Sequence, residues 1–128
     1  MKIPTAAFLL VLLPAAVLSL SFFDKHVVSG NSKSCHRNMR NINNEIRQCK
    51  HMNTFIFDPQ NQLNTICSSG EEFVTSYSEF DIVDCIHDGR SWYPKCVYKE
   101  QSLQAKNIEV KCENGYPVHL QNLAKGPG

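Results

Sequence analysis

The sequence carries almost no net charge. Lysine and arginine total 13 and aspartate and glutamate total 12, a formal charge of +1. Lys2 is the only charged residue before Asp24, so removal of the leading segment leaves 13 − 1 = 12 basic against 12 acidic residues. A neutral chain has no long-range field with which to gather nucleic acid or anionic membranes, so any attraction for a polyanion must come from local charge and histidines. Long apolar runs are also scarce. The best, Ala6 to Leu20, is broken by Pro14 and Ser19 and is shorter than the roughly 20 residues a spanning helix needs. No integral membrane segment is expected. No two cysteines are spaced C-x-x-C, which argues against a zinc cluster. Repeats and low-complexity linkers are lacking too, and 128 residues suit one domain.

What is present begins with Lys2, the apolar run, and the small residues Ser19 and Ser21 that close it. This order predicts a secretory signal peptide over 1–21, cleaved after Ser19 or Ser21, then one extracellular domain over 22–128. All six cysteines (Cys35, Cys49, Cys67, Cys85, Cys96 and Cys112) follow the leader. An even count in a small secreted chain predicts a disulfide framework, although spacing alone does not choose the pairing.

Phe22 and His26 are four apart, so a helix ended by Gly30 and Asn31 puts them on one face. Ser34 can cap a second helix running to about Ile42. Its Arg37 and Arg40, with Lys33 and Arg47, form the most basic stretch, read first as a solvated face and second as a site for RNA phosphates or a cell-surface partner. Asp58-Pro59 reads as a third helix start, with Leu63, Ile66 and Cys67 repeating on one face. Strands are expected over 54–57, 73–78, 80–85, 95–100 and 107–112, with turns at His87-Asp88-Gly89 and Glu113-Asn114-Gly115. In the last strand Ile108, Val110 and Cys112 alternate with Asn107, Glu109 and Lys111. The class is α+β: three short helices on a bent antiparallel sheet.

Four stretches carry chemistry. Phe22-Phe23-Asp24-Lys25-His26 places an imidazole on a terminal helix. Cys49-Lys50-His51-Met52-Asn53-Thr54-Phe55 anchors a cation beside a hydroxyl at a strand entrance, which suits an anionic ligand with a hydrogen-bonding ring. Trp92-Tyr93-Pro94-Lys95-Cys96-Val97-Tyr98 offers Tyr93-Pro94 as a cis bond. Cys112-Glu113-Asn114-Gly115-Tyr116-Pro117-Val118-His119-Leu120 puts a histidine on a strand with its neighbours facing the other way. Two imidazoles with unperturbed pKa values near 6.5 suit a base and an acid working together, and a fixed cation suits charge developing on a phosphate. His36, His51 and His87 show no partner pattern and read as surface loop residues, so no metal and no cofactor is expected.

Over essentially the whole mature chain, these motifs resemble the pancreatic ribonuclease (RNase A) family. Within it, the short spacing from His26 to Cys35 is similar to that of frog ribonucleases, and the last strand resembles that of angiogenin, which also has three disulfides. The resemblance implies the pairs Cys35–Cys85, Cys49–Cys96 and Cys67–Cys112. It implies a metal-independent endoribonuclease cutting single-stranded RNA after pyrimidines, with His26 as base, His119 as acid and Lys50 as electrostatic stabiliser. Thr54 would read the base with Asp84 in support, and Lys25, Asn53 and Leu120 would complete the substrate site. The chain is expected to be a monomer, with a ribonuclease inhibitor or a cell-surface molecule as a further partner. The alternative implied function is an angiogenin-like signalling or host-defence protein with weak activity. Departures are Gln121, where the pancreatic enzyme has an aspartate, Leu120 in place of its phenylalanine, and Asp24 at a place that is often cationic.

Overall fold

The computed structural model describes residues 20–28 and 34–124. The leader up to Ser19, the Gly30-Asn31 stop and Lys33 lie outside the described residues. Helix α1 (Phe22–His26) is opened by Ser21, whose hydroxyl accepts from the Asp24 amide while the Asp24 carboxylate accepts from the Ser21 amide. It ends at His26, because Val27 and Val28 already form a short strand, β1.

Ser34 caps the next helix as expected, accepting from the Arg37 amide at 3.3 Å. That helix comes in two pieces, α2 (Cys35–Asn38) and α3 (Arg40–Ile46), joined at Met39 and reaching beyond Ile42. Arg47 closes it in the left-handed region at φ 57°. Strand β2 (Met52–Phe57) follows. The third helix shrinks to a single 3₁₀ turn, η1 (Gln62–Thr65). The cause is local. The buried Asp58 carboxylate accepts from the Gln62 and Leu63 amides at 2.8 and 2.9 Å, and Asn61 sits at φ 55°. Asp58 therefore gathers donors four and five residues on, across a turn, rather than opening a helix at once.

The strands β3 (Phe73–Thr75), β4 (Phe80–His87), β5 (Tyr98–Glu113) and β6 (Tyr116–Ala124) complete the sheet. Its order is β1-β2-β4-β5-β3, with β6 also on β5. Pairing is antiparallel except for β1, which runs parallel to β2. The two strands expected over 95–100 and 107–112 are one: β5 pairs β4 through Lys106 and β6 from Asn107 onward. Residues 95–97 lie before it. The segment expected as strand to Ser78 leaves β3 at Thr75 because the Asn107 amide donates to the carbonyls of Ser76, Tyr77 and Ser78.

Two clusters form the core. Phe22, Ile56, Leu63, Phe80, Ile82, Ile108 and Val110 make one, and Met39, Ile42, Phe55 and Val83 the other. The alternation along β5 holds: Ile108 and Val110 are fully buried. The disulfides are Cys35–Cys85, Cys49–Cys96 and Cys67–Cys112, with sequence separations of 50, 47 and 45. Closing loops of this length stabilises the fold by roughly 4 kcal/mol each in the chain-entropy account. Tyr93-Pro94 is cis, as the sequence suggested.

Candidate functional site

Helix α1 packs against both β2 and β6, and this contact assembles the site. Phe22 is the anchor. It is 5% exposed, and its ring lies 5.2 Å from the His26 ring one turn on. His26 Nδ1 sits 2.9 Å from the Thr54 carbonyl oxygen. A carbonyl only accepts, so Nδ1 carries the hydrogen and Nε2 of the neutral ring keeps a free lone pair. Burial lowers the His26 pKa below 6.5; the Thr54 carbonyl opposes this, and the positive charges of Lys50, Lys25 and His119 add to it. His26 is therefore held neutral at pH values where a free imidazole is already protonating.

Lys50 enters from the segment before β2. Its Nζ donates to Asn53 Oδ1 at 2.9 Å, and the Asn53 amide donates to the Lys25 carbonyl at 2.7 Å. The buried Asn53 thus ties the cation to the helix carrying His26. Burial, and then the charge of Lys25, lowers the Lys50 pKa. The Lys50 backbone is fixed on both sides: its N–H donates to Asn43 Oδ1 at 2.9 Å, and its carbonyl accepts from the Tyr98 hydroxyl at 2.6 Å. Tyr98 also donates toward Asn43 Oδ1 at 3.2 Å, and burial raises its phenol pKa. Asn43 and Tyr98 were not foreseen. A polar residue in an asparagine-rich helix reads as solvated, and only its 4% exposure shows otherwise.

Thr54 and Asp84 are cross-strand partners in the β2–β4 pairing. The Thr54 hydroxyl donates to Asp84 Oδ1 at 2.5 Å. On β6, His119 is exposed and stands opposite Lys111 of β5. The register skips Val118 and Gln121, so two bulges flank the His119-Leu120 pair. Bulges re-aim side chains. Here they turn Leu120 toward the core beside Val110 and leave His119 outside it. Among the described residues no hydrogen bond joins Gln121 to His119. Lys111, unflagged by the sequence, lies 3.9 Å from Glu72 and 3.6 Å from Glu113.

The structure therefore gathers His26, Lys25, Lys50, Asn53 and Thr54 in one network, with Asp84 behind Thr54 and the charge of His119 felt at His26. His36 and His51 are exposed, as expected. His87 departs from its expected place on the surface. It is half-buried, packs on Tyr98 and meets Ser91 Oγ at 2.9 Å. The neighbouring Asp88 accepts from the Arg90 and Ser91 amides, and these bonds bring its pKa down to about 2.

Comparisons with known proteins place the sequence and the fold. The family model for pancreatic ribonuclease matches residues 18–121. Angiogenin of Saimiri sciureus is 35% identical over 112 residues, spanning 79% of this chain and 75% of that protein. The pancreatic ribonuclease of Chionomys nivalis is 33% identical over 113 residues, spanning 77% of this chain and 76% of its own. Among solved structures, the X-ray structure of SS-RNase-2 des116-120 superposes with a TM-score of 0.66 at 31% identity, covering 78% of this chain and 93% of that one. With three disulfides, the fold and this extent of similarity, the chain belongs to the pancreatic ribonuclease (RNase A) family and is an angiogenin-like ribonuclease of it.

Proposed function

We propose that this protein is a secreted endoribonuclease that cleaves single-stranded RNA on the 3′ side of pyrimidines through a 2′,3′-cyclic phosphate. One observation carries the reading: the Thr54 carbonyl holds the His26 proton on Nδ1, which leaves Nε2 free to accept another. RNA brings its own nucleophile, the ribose 2′-OH beside the phosphate. His26 Nε2 takes the 2′-OH proton as the oxygen attacks phosphorus. Protonated His119 gives a proton to the departing 5′-oxygen. Lys50, held by Asn53, stabilises the charge gathering on the phosphorus oxygens. Hydrolysis of the cyclic phosphate reverses the two histidine roles. Thr54 faces the base, Lys25 and the Leu120 backbone next to His119 border the substrate while the Leu120 side chain packs on the core, and no metal or cofactor takes part.

The test is digestion of RNA by refolded mature protein with a chelator present. Cleavage is expected, with poly(C) cut faster than poly(A), and DNA untouched because it lacks the 2′-OH. His26→Ala and His119→Ala should each lower the rate by roughly 10²–10⁴-fold. Full activity in either variant would remove the assignment. The formally neutral mature chain and the similarity to angiogenin favour a second reading, signalling or host defence with weak turnover. A cell-surface molecule or a ribonuclease inhibitor would then be the partner, and the exposed Arg37 and Arg40 on α2 and α3 the first surface to alter.

A further inference from the structure

We propose that the chain is cut between Ser19 and Leu20, and that Glu45 captures the ammonium group this creates, fastening the helix that carries His26 to α3. The inference rests on the reading of the leading residues as an export signal. The sequence leaves two scissile bonds open, because small residues precede both Leu20 and Phe22. The structure separates them. The Leu20 backbone nitrogen donates to Glu45 Oε2 at 2.9 Å across 25 positions of sequence. The Leu20 side chain is half-buried and packs on the cluster containing Met39, Ile42 and Phe55. Ser21 is the cap of α1, with its hydroxyl 3.1 Å from the Asp24 nitrogen and its own nitrogen 3.0 Å from the Asp24 carboxylate. Cutting after Ser21 would remove all of these contacts and place a charged terminus on Phe22, which is 5% exposed. Cutting after Ser19 removes none of them.

The chemistry is peptide hydrolysis by a leader peptidase. Water adds across the bond, Ser19 departs with the leader as a carboxylate, and the Leu20 nitrogen becomes an amine that is protonated at neutral pH to a large extent. That nitrogen already points a hydrogen at Glu45. After cleavage it keeps its partner, and a neutral hydrogen bond becomes a charge-assisted one. Asp24 is occupied by the cap, so Glu45 is the carboxylate left to receive the new charge. Since α1 packs on β2 and β6, fixing Leu20, the residue just before its cap, also fixes the approach of His26 to both strands.

Two measurements test this. The full chain is expressed in a secretory host, and the exported protein is analysed by N-terminal sequencing and intact mass. A start at Leu20 is expected. A start at Phe22 would overturn the inference while leaving export intact, and a retained Met1 would overturn the leader reading with it. Separately, protein beginning at Leu20 is released from a fusion and refolded, and its terminal amine is titrated by NMR after ¹³C-dimethylation, as wild type and as Glu45→Gln. The wild-type amine should titrate roughly 0.2–0.7 pH units higher, the span of an exposed ion pair. Equal values would overturn the capture. Neither arm uses RNA, so failure here is distinct from failure of the catalytic assignment.

Discussion

In the proposed reading, Asp84 decides how Thr54 meets a base. Because the hydroxyl donates to Asp84, its lone pairs face outward, ready for the N3–H of uracil. Cytosine offers an acceptor at N3, so the hydroxyl must turn away from Asp84 to donate to it. Asp84→Ala should therefore lower kcat/KM for uridine substrates by about tenfold, the worth of one hydrogen bond to a charged group, and spare cytidine substrates. Paired assays on UpA and CpA check this, and equal losses would show that Asp84 only supports the strand. A second expectation follows from His26, whose pKa lies below 6.5 because of burial and nearby cations. The base stays neutral to lower pH, so the acidic limb of kcat/KM should have its midpoint below 6.5. Lys25→Gln removes one of those cations and should move the midpoint upward. The sign for stability is the same: the unfolded chain takes up this proton more readily, so stability is complete above pH 6.5 and declines as pH falls through the folded value. Urea unfolding at several pH values measures it, with His26→Gln flattening the decline.

The elements show which parts of the molecule the sequence discloses. β2 was legible because Thr54, Phe55, Ile56 and Phe57 are β-branched or aromatic, and the structure extends it only to Met52. The turn at Asn114-Gly115 was legible because both residues accept positive φ, and they sit at 55° and 84°. His26, Lys50, Asn53, Thr54 and His119 were singled out through short motifs and Asp84 through the family resemblance, and the structure joins His26, Thr54 and Asp84, and Lys50 and Asn53, by hydrogen bonds. The lost third helix was not legible, since a carboxylate before a proline looks the same whether its donors lie two residues on or five. Nor were Asn43 and Tyr98, because support from 7 and 48 positions away leaves no local pattern. That support is testable. Asn43→Ala would leave the Lys50 amide and the Tyr98 hydroxyl without their shared acceptor, at a cost of about 1–3 kcal/mol. The thermal midpoint should fall, and kcat should fall further than KM changes, because Lys50 loses its fixed position. An unchanged kcat in a destabilised variant would confine Asn43 to a structural role.

For the molecule as a whole, the balance of charge limits how RNA is drawn in. With few cations at the site, the logarithm of kcat/KM on long RNA should fall with the logarithm of salt at a slope of about −2, as for two or three neutralised phosphates on a single strand. A steeper slope would point to phosphate contacts reaching well beyond Lys25 and Lys50, with Arg37 and Arg40 the next cations to remove. Strand β5 contains none of the groups assigned to the chemistry. Its first half holds β4, and through β4 the strand with Thr54, while its second half holds the strand with His119. Thr54, whose carbonyl holds His26 Nδ1, and His119 are thus fastened to opposite ends of a single ruler. Its midpoint, near Lys106 and Asn107, sets how far apart they stand. A kink introduced there would shift Thr54 against His119 and disturb the seat of α1, which packs on both β2 and β6, so both halves of the proposed reaction should slow together.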